Sequence, residues 1–163
     1  MTRRPQIAVI GRGAPDEELG ALAEEVGRGI AERGAVLVCG GMGGVMEAAA
    51  RGAREAGGDV IGIVPTEDVA PANPYVTHAV ATGIGHARNL AVVASADAVI
   101  AIGGEWGTLA EIGFARRLGR SVAALRSWTV SGSGDMKGGP GIDAVAEPQA
   151  AVELALEAAG RRW

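Results

Sequence analysis

Short aliphatic runs alternate along the chain with longer stretches in which apolar residues recur every three to four positions. Gln6 to Ile10 is a strand-like run, and Asp16 to Arg33 predicts a helix with Leu19, Leu22, Val26 and Ile30 on one face. Pro15 and the acidic Asp16, Glu17 and Glu18 suit the first turn of that helix, and Gly34 suits its end. The alternation continues with a strand over Ala35 to Val38, a helix over Val45 to Ala56 and a strand over Val60 to Val64. The proline-rich stretch Pro65 to Tyr75 predicts a connecting loop, followed by a short strand over Val76 to Val80. Then come a helix (Ile84 to Ala94), a strand (Ala98 to Ile102), a helix (Thr108 to Leu118) and a strand (Ser121 to Leu125). The glycine- and serine-rich stretch Ser127 to Gly141 predicts a mobile surface loop, before a last strand over Ile142 to Val145 and a last helix over Pro148 to Ala159.

Repeated strand–helix order predicts an α/β, Rossmann-like three-layer sandwich with a mainly parallel central sheet, as a single domain over residues 1–163. Ligands of such sheets bind beyond the carboxyl ends of the strands. Two glycine-rich turns fall at such ends: Gly40-Gly41-Met42-Gly43-Gly44, leading into Val45, and Gly103-Gly104-Glu105-Trp106-Gly107-Thr108. Each joins a strand to a helix, where unpaired N–H groups and the positive end of the macrodipole favour an anion and glycine admits it to the backbone. Gly11 and Arg12, in the turn Gly11-Arg12-Gly13, meet the same edge. These residues are the candidate ligand-binding set.

Composition narrows the chemistry. The net charge of −4 argues against binding nucleic acid broadly by charge. No apolar run approaches the ~20 residues of a membrane span, and Met1-Thr2-Arg3-Arg4-Pro5 leads straight into a strand, so neither a membrane nor an export signal is expected and the protein reads as cytoplasmic. The single cysteine, Cys39, allows no internal disulfide and reads as a buried thiol. The one lysine, Lys137, ends neither glycine loop, which excludes a P-loop nucleotidase, and its loop is a poor seat for a Schiff base. Two histidines, His78 and His86, are far apart in sequence and give no metal-ligand spacing, so no metal site is expected. The glycine and acid pattern of a dinucleotide dehydrogenase is missing after the first two strands.

Gly40-Gly41-Met42-Gly43-Gly44-Val45-Met46, then Gly85-His86-Ala87-Arg88-Asn89, then Gly103 to Glu111 together resemble the LOG-like (SLOG) superfamily, in order and with matching spacing from Ile7 to about Leu125. That superfamily includes cytokinin-activating phosphoribohydrolases, long mislabelled lysine decarboxylases, and molybdenum cofactor carrier proteins. Against the hydrolase loop Pro-Gly-Gly-x-Gly-Thr followed by x-Glu-Glu, Gly103 stands at the proline, Glu105 at the second glycine, Ala110 at the first glutamate and Glu111 at the second. Arg88 matches the hydrolases' catalytic arginine, with Asn89 in place of lysine, and beside the two anion cradles both residues join the candidate ligand-binding set. The chain length, the turn from Gly83 to Arg88 and the stretch Glu55 to Gly58 resemble the carrier branch more closely. The resemblance also implies a homodimer or higher homo-oligomer, with Leu90, Val93, Ile112 and Phe114 as candidate contacts.

Two functions follow from the resemblance. In the first, the paired glycine-rich loops bind a phosphorylated, nucleotide-like small molecule, with molybdopterin, the molybdenum cofactor or a nucleoside monophosphate as ligand and no cofactor required. In the second, Arg88 and Glu111 catalyse hydrolysis of a nucleoside 5′-monophosphate to free base and ribose 5-phosphate. Several residues carry a structural alternative. Thr108 and Glu111 have the Thr-x-x-Glu spacing of a capping box, which competes with a chemical role for Glu111. Trp106 offers a surface for a planar base or pterin, a subunit contact, or an anchor for its loop. Glu105 is unfavourable beside a phosphate and is expected to face away from it, or to meet a sugar hydroxyl or a cationic group. Met42 and Met46 read as packing residues, although Met42 lies within the first loop.

Overall fold

The computed structural model describes residues 3–130 and 141–162. Seven strands form one sheet: β1 (Gln6–Gly11), β2 (Val36–Cys39), β3 (Val60–Val64), β4 (His78–Ala81), β5 (Ala98–Ile102), β6 (Val122–Leu125) and β7 (Ile142–Val145). Among the described residues five α-helices connect or follow them: α1 (Glu17–Glu32), α2 (Val45–Glu55), α3 (Arg88–Ala94), α4 (Trp106–Arg117) and α5 (Pro148–Gly160). The strand order is β4-β3-β2-β1-β5-β6-β7, and every pairing is parallel. The sheet expected to be mainly parallel is thus wholly parallel among the described residues.

Alternation along the strands divides the core in two. Ile7 and Val9 of β1 face a layer of α1, α2 and α5 that buries Val26, Ile30, Ala49, Ala53, Val152 and Ala155. Ala8 and Ile10 face the opposite layer, where α3 supplies Val92 and Val93 and α4 supplies Ile112 and Ala115. Burial on both faces explains why the strands read as continuous aliphatic runs. It also corrects part of the expected subunit contact. Val93 and Ile112 are fully buried in this second core, whereas Leu90 is exposed and Phe114 half-buried. The periodicity that marked Val93 and Ile112 as apolar reports packing of α3 and α4 onto their own sheet.

Element boundaries shift in three informative places. The predicted helix over Ile84 to Ala94 is a 3₁₀ turn, Gly85–Ala87, followed by α3, so Arg88 is the first residue of the α-helix. Asp16 caps α1 from outside, accepting a hydrogen bond from the Leu19 N–H at 3.0 Å. α4 starts at Trp106, two residues earlier than expected, with Glu105 as its N-cap in an extended conformation. Gly103 and Gly104 adopt φ of +57° and +122°, which lets the chain leave β5 and turn into the helix before Thr108 is reached. Thr108 therefore lies inside the first turn, and the Thr108–Glu111 capping box is not formed. Of the stretch Ser127 to Gly141, positions 131–140, Lys137 among them, lie outside the described residues.

Candidate functional site

The strand order reverses direction between β1 and β5, the switch point where parallel sheets open a crevice. β1 ends at Gly11, paired with Ile102 at the end of β5. Above these ends lies a cavity of about 190 Å³ that brings together Gly11, Arg12, Gly40, Arg88, Asn89, Glu105, Gly107, Thr108 and Glu111 from the candidate set. These come from four segments of the chain far apart in sequence. Gly13, Met46 and His86 also line the cavity and were not singled out as site residues. His86 carried a signal, since it stands two positions before Arg88 in a recognised motif.

Arg88 is the central group. Its side chain lies flat against Gly40, where an added Cβ would fall 2.5 Å from Nη1 and 2.7 Å from the Met46 sulfur. A side chain at Gly40 would displace the guanidinium and the Met46 thioether from this position. Nη1 donates to Asn89 Oδ1 at 2.7 Å, while Nε is buried and, among the described residues, has no hydrogen-bond partner. Burial lowers the guanidinium pKa, and Glu111 and then Cys39 oppose that shift. A buried, unmatched donor on a cation costs about 1–3 kcal/mol or more. An anionic acceptor entering the cavity would remove that cost.

Glu111 faces the same cavity from α4 and is only 7% exposed. Desolvation pushes its carboxyl up to about 7, with Arg88 pulling in the opposite direction. Among the described residues no direct ion pair joins the two. A carboxyl whose ordinary value is 4.5 and whose folded value is about 7 binds more protons when folded. Its contribution to stability is therefore full below pH 4.5 and is lost as the pH rises through 7. Glu111→Gln is expected to remove a pH-dependent destabilisation on the order of 2–3 kcal/mol, so that the variant gains on the wild type between pH 5 and pH 8. Urea unfolding of both proteins at the two pH values checks this; an unchanged difference contradicts it.

The acid that looked unfavourable for a phosphate site has a partner. Arg12 sits between two carboxylates, with Nη1 3.4 Å from Asp16 Oδ2 and Nε 3.3 Å from Glu105 Oε1. Arg12 thus has two carboxylates at ion-pair distance, whereas among the described residues Arg88 has none. Removing the Glu105 charge leaves the cleft more cationic, so Glu105→Gln is expected to tighten pyrophosphate binding by about tenfold. Calorimetric titration measures this, and weaker binding would instead place Glu105 in contact with the phosphate groups.

The remaining candidates lie outside this cavity. Gly41, Met42, Gly43, Gly44 and Val45 shape the first loop: the Gly41 N–H meets Cys39 Sγ at 3.4 Å, and the Gly41 and Met42 carbonyls accept from the backbone and side chain of Asn73. The Val45 N–H, first in α2, donates to the Arg12 carbonyl at 2.9 Å. Burial pushes the Cys39 thiol beneath this loop up to about 11. Gly103 and Gly104 line a neighbouring cavity of about 760 Å³ with Leu19, Arg126, Ser127, Trp128 and Thr129, and Arg12 and Glu105 border both cavities. Trp106 is 76% exposed and packs against Trp128, ring centroids 5.4 Å apart. Trp106 is not among the residues lining either cavity, whereas Trp128, which sequence reasoning passed over as part of a loop, lines the larger one.

The profile of the SLOG cluster4 family matches residues 4–152. The chain belongs to this family. It is 48% identical over 122 residues to an uncharacterized protein of Archaeoglobus fulgidus, covering 74% of this chain and 80% of the relative. Its fold matches the molybdenum cofactor binding protein of the phototrophic bacterium Rippkaea orientalis with a TM-score of 0.86 and 32% identity over 96% of this chain and 98% of the other. The molybdenum cofactor carrier protein of Chlamydomonas reinhardtii matches with a TM-score of 0.82 and 30% identity, over 97% and 99% of the two chains. Among the described residues no helix is long and apolar enough to cross a membrane.

Proposed function

We propose that the protein binds a phosphorylated, nucleotide-like small molecule at the β1/β5 crevice and carries it, with molybdopterin or the molybdenum cofactor as cargo. The observation that carries this reading is the buried, unpartnered Nε of Arg88, held over Gly40 at the switch point. A phosphate there would accept from the free face of the guanidinium, and planar Arg donors match phosphate oxygens. The similarity to proteins named for binding or carrying the molybdenum cofactor supports the cargo class. Incubation of the purified protein with molybdopterin, followed by gel filtration, tests it. Retention of about one pterin per chain is the expected result; pterin recovered only in the small-molecule fractions would overturn the reading. A homodimer through the face bearing Leu90 belongs to the same proposal, and sedimentation of a monomer alone at micromolar concentration would remove it.

A second reading rests on Glu111. Freed from capping and with a carboxyl at about 7, it is placed to assist cleavage of an N-glycosidic bond in a nucleoside 5′-monophosphate, as the resemblance to phosphoribohydrolases implies. Chromatography of nucleoside 5′-monophosphates after incubation separates the readings. Release of free base by the wild type that disappears in Glu111→Gln establishes hydrolysis; no release leaves binding alone.

A further inference from the structure

The inner cavity, about 190 Å³, falls below the roughly 300–1,000 Å³ of typical small-molecule sites. Its lining includes four charged groups, Arg88, Glu111, Arg12 and Glu105, with Arg88 held at the strand end. It suits a phosphate better than a fused ring. The neighbouring cavity, about 760 Å³, has room for a fused ring, and Leu19 and Trp128 stand among its walls beside Arg12, Glu105 and Arg126. The two share the Arg12–Glu105 ion pair as a common border.

The Trp128 ring is fixed by several independent contacts. It packs on the second core, its Nε1 donates to the Glu105 carbonyl at 3.2 Å, and the Trp106 ring leans against it at 36°. One residue earlier, Ser127 Oγ donates to the Gly103 carbonyl at 2.5 Å, fastening the segment after β6 to the second glycine loop. An aromatic face held in place beside a cavity costs little ordering when a flat ligand stacks on it.

We infer that the outer cavity is the second lobe of the ligand site and takes the planar, fused-ring part of the ligand beside Trp128, while the phosphate occupies the inner lobe at Arg88. The inference rests on the phosphate-binding reading and adds a ring site to it. The Arg12–Glu105 pair lies between the lobes and contacts the portion of the ligand that joins ring to phosphate.

Calorimetric titrations with ribose 5-phosphate and with guanosine 5′-monophosphate separate the two claims. The expected result is that the nucleotide binds about tenfold or more tightly than the sugar phosphate, that Trp128→Ala removes most of this ratio, and that Trp128→Phe, which keeps a ring but loses the N–H, retains most of it. Melting curves verify that both variants are folded. Equal affinities for the two probes, or a ratio that Trp128→Ala leaves intact, overturn the ring site while phosphate binding stands. If neither probe binds the wild type, the phosphate-binding reading itself fails, and the ring site with it.

Discussion

Arg88→Ala is expected to weaken binding of phosphorylated ligands by about 100-fold while leaving the melting temperature unchanged or slightly raised. Loss of a buried charged contact to a ligand costs about 2–5 kcal/mol, which sets the affinity change. The stability result has a separate cause. Among the described residues the Arg88 side chain's one hydrogen bond goes to its neighbour Asn89, and its Nε is unsatisfied. Truncation thus removes a desolvated cation that the unliganded fold accommodates at a cost. Arg88→Lys keeps the charge but not the planar fork and is expected to recover only part of the affinity. Titration with pyrophosphate alongside thermal melting reads both quantities. A large drop in melting temperature with unchanged affinity would make Arg88 a structural residue.

Gly52→Ala is expected to destabilise the protein by about 3 kcal/mol, a fall of roughly 6–12 °C in melting temperature. A Cβ at Gly52 of α2 would lie 2.0 Å from the Glu24 carbonyl oxygen of α1, and one at Gly27 of α1 would lie 1.9 Å from the Ala49 carbonyl oxygen of α2. The two helices touch backbone to backbone, and the Arg51 guanidinium bonds Glu24 Oε2 at 2.9 and 2.7 Å beside the contact. No movement of a flexible side chain can make room, because the obstructing atoms are main chain. Gly113→Ala in α4 provides the contrast. Its added methyl meets nothing within 4 Å, so higher helix propensity is expected to stabilise by about 0.5–1 kcal/mol. Opposite signs for the two substitutions in a denaturant series are the test; equal signs contradict it.

These glycines mark where the sequence was legible and where it was not. Helical spacing in α1 and aliphatic runs in β1 and β5 reported burial directly, and the parallel order followed from alternation. The candidate cleft was legible because strand ends in a parallel sheet converge, which put Gly11, Gly40 and Gly107 near one another before any coordinates. What failed depended on distant partners. Asn73, from the proline-rich loop, takes the carbonyls of Gly41 and Met42, so part of the first loop serves its own packing. Thr108 and Glu111 have the spacing of a cap, yet two positive-φ glycines start α4 earlier and free the carboxylate to face the cavity. Trp106 and Trp128 cannot be ranked from sequence, since which ring faces the cavity depends on how the segment after β6 fastens to the loop after β5.

The phosphate position in a crystal soaked with pyrophosphate tests the central claim most directly. The account predicts a phosphate oxygen about 2.7–2.9 Å from Arg88 Nε, over Gly40 and between the ends of β1 and β5. Pyrophosphate bound elsewhere on the chain, with Arg88 Nε still unpartnered, would contradict it.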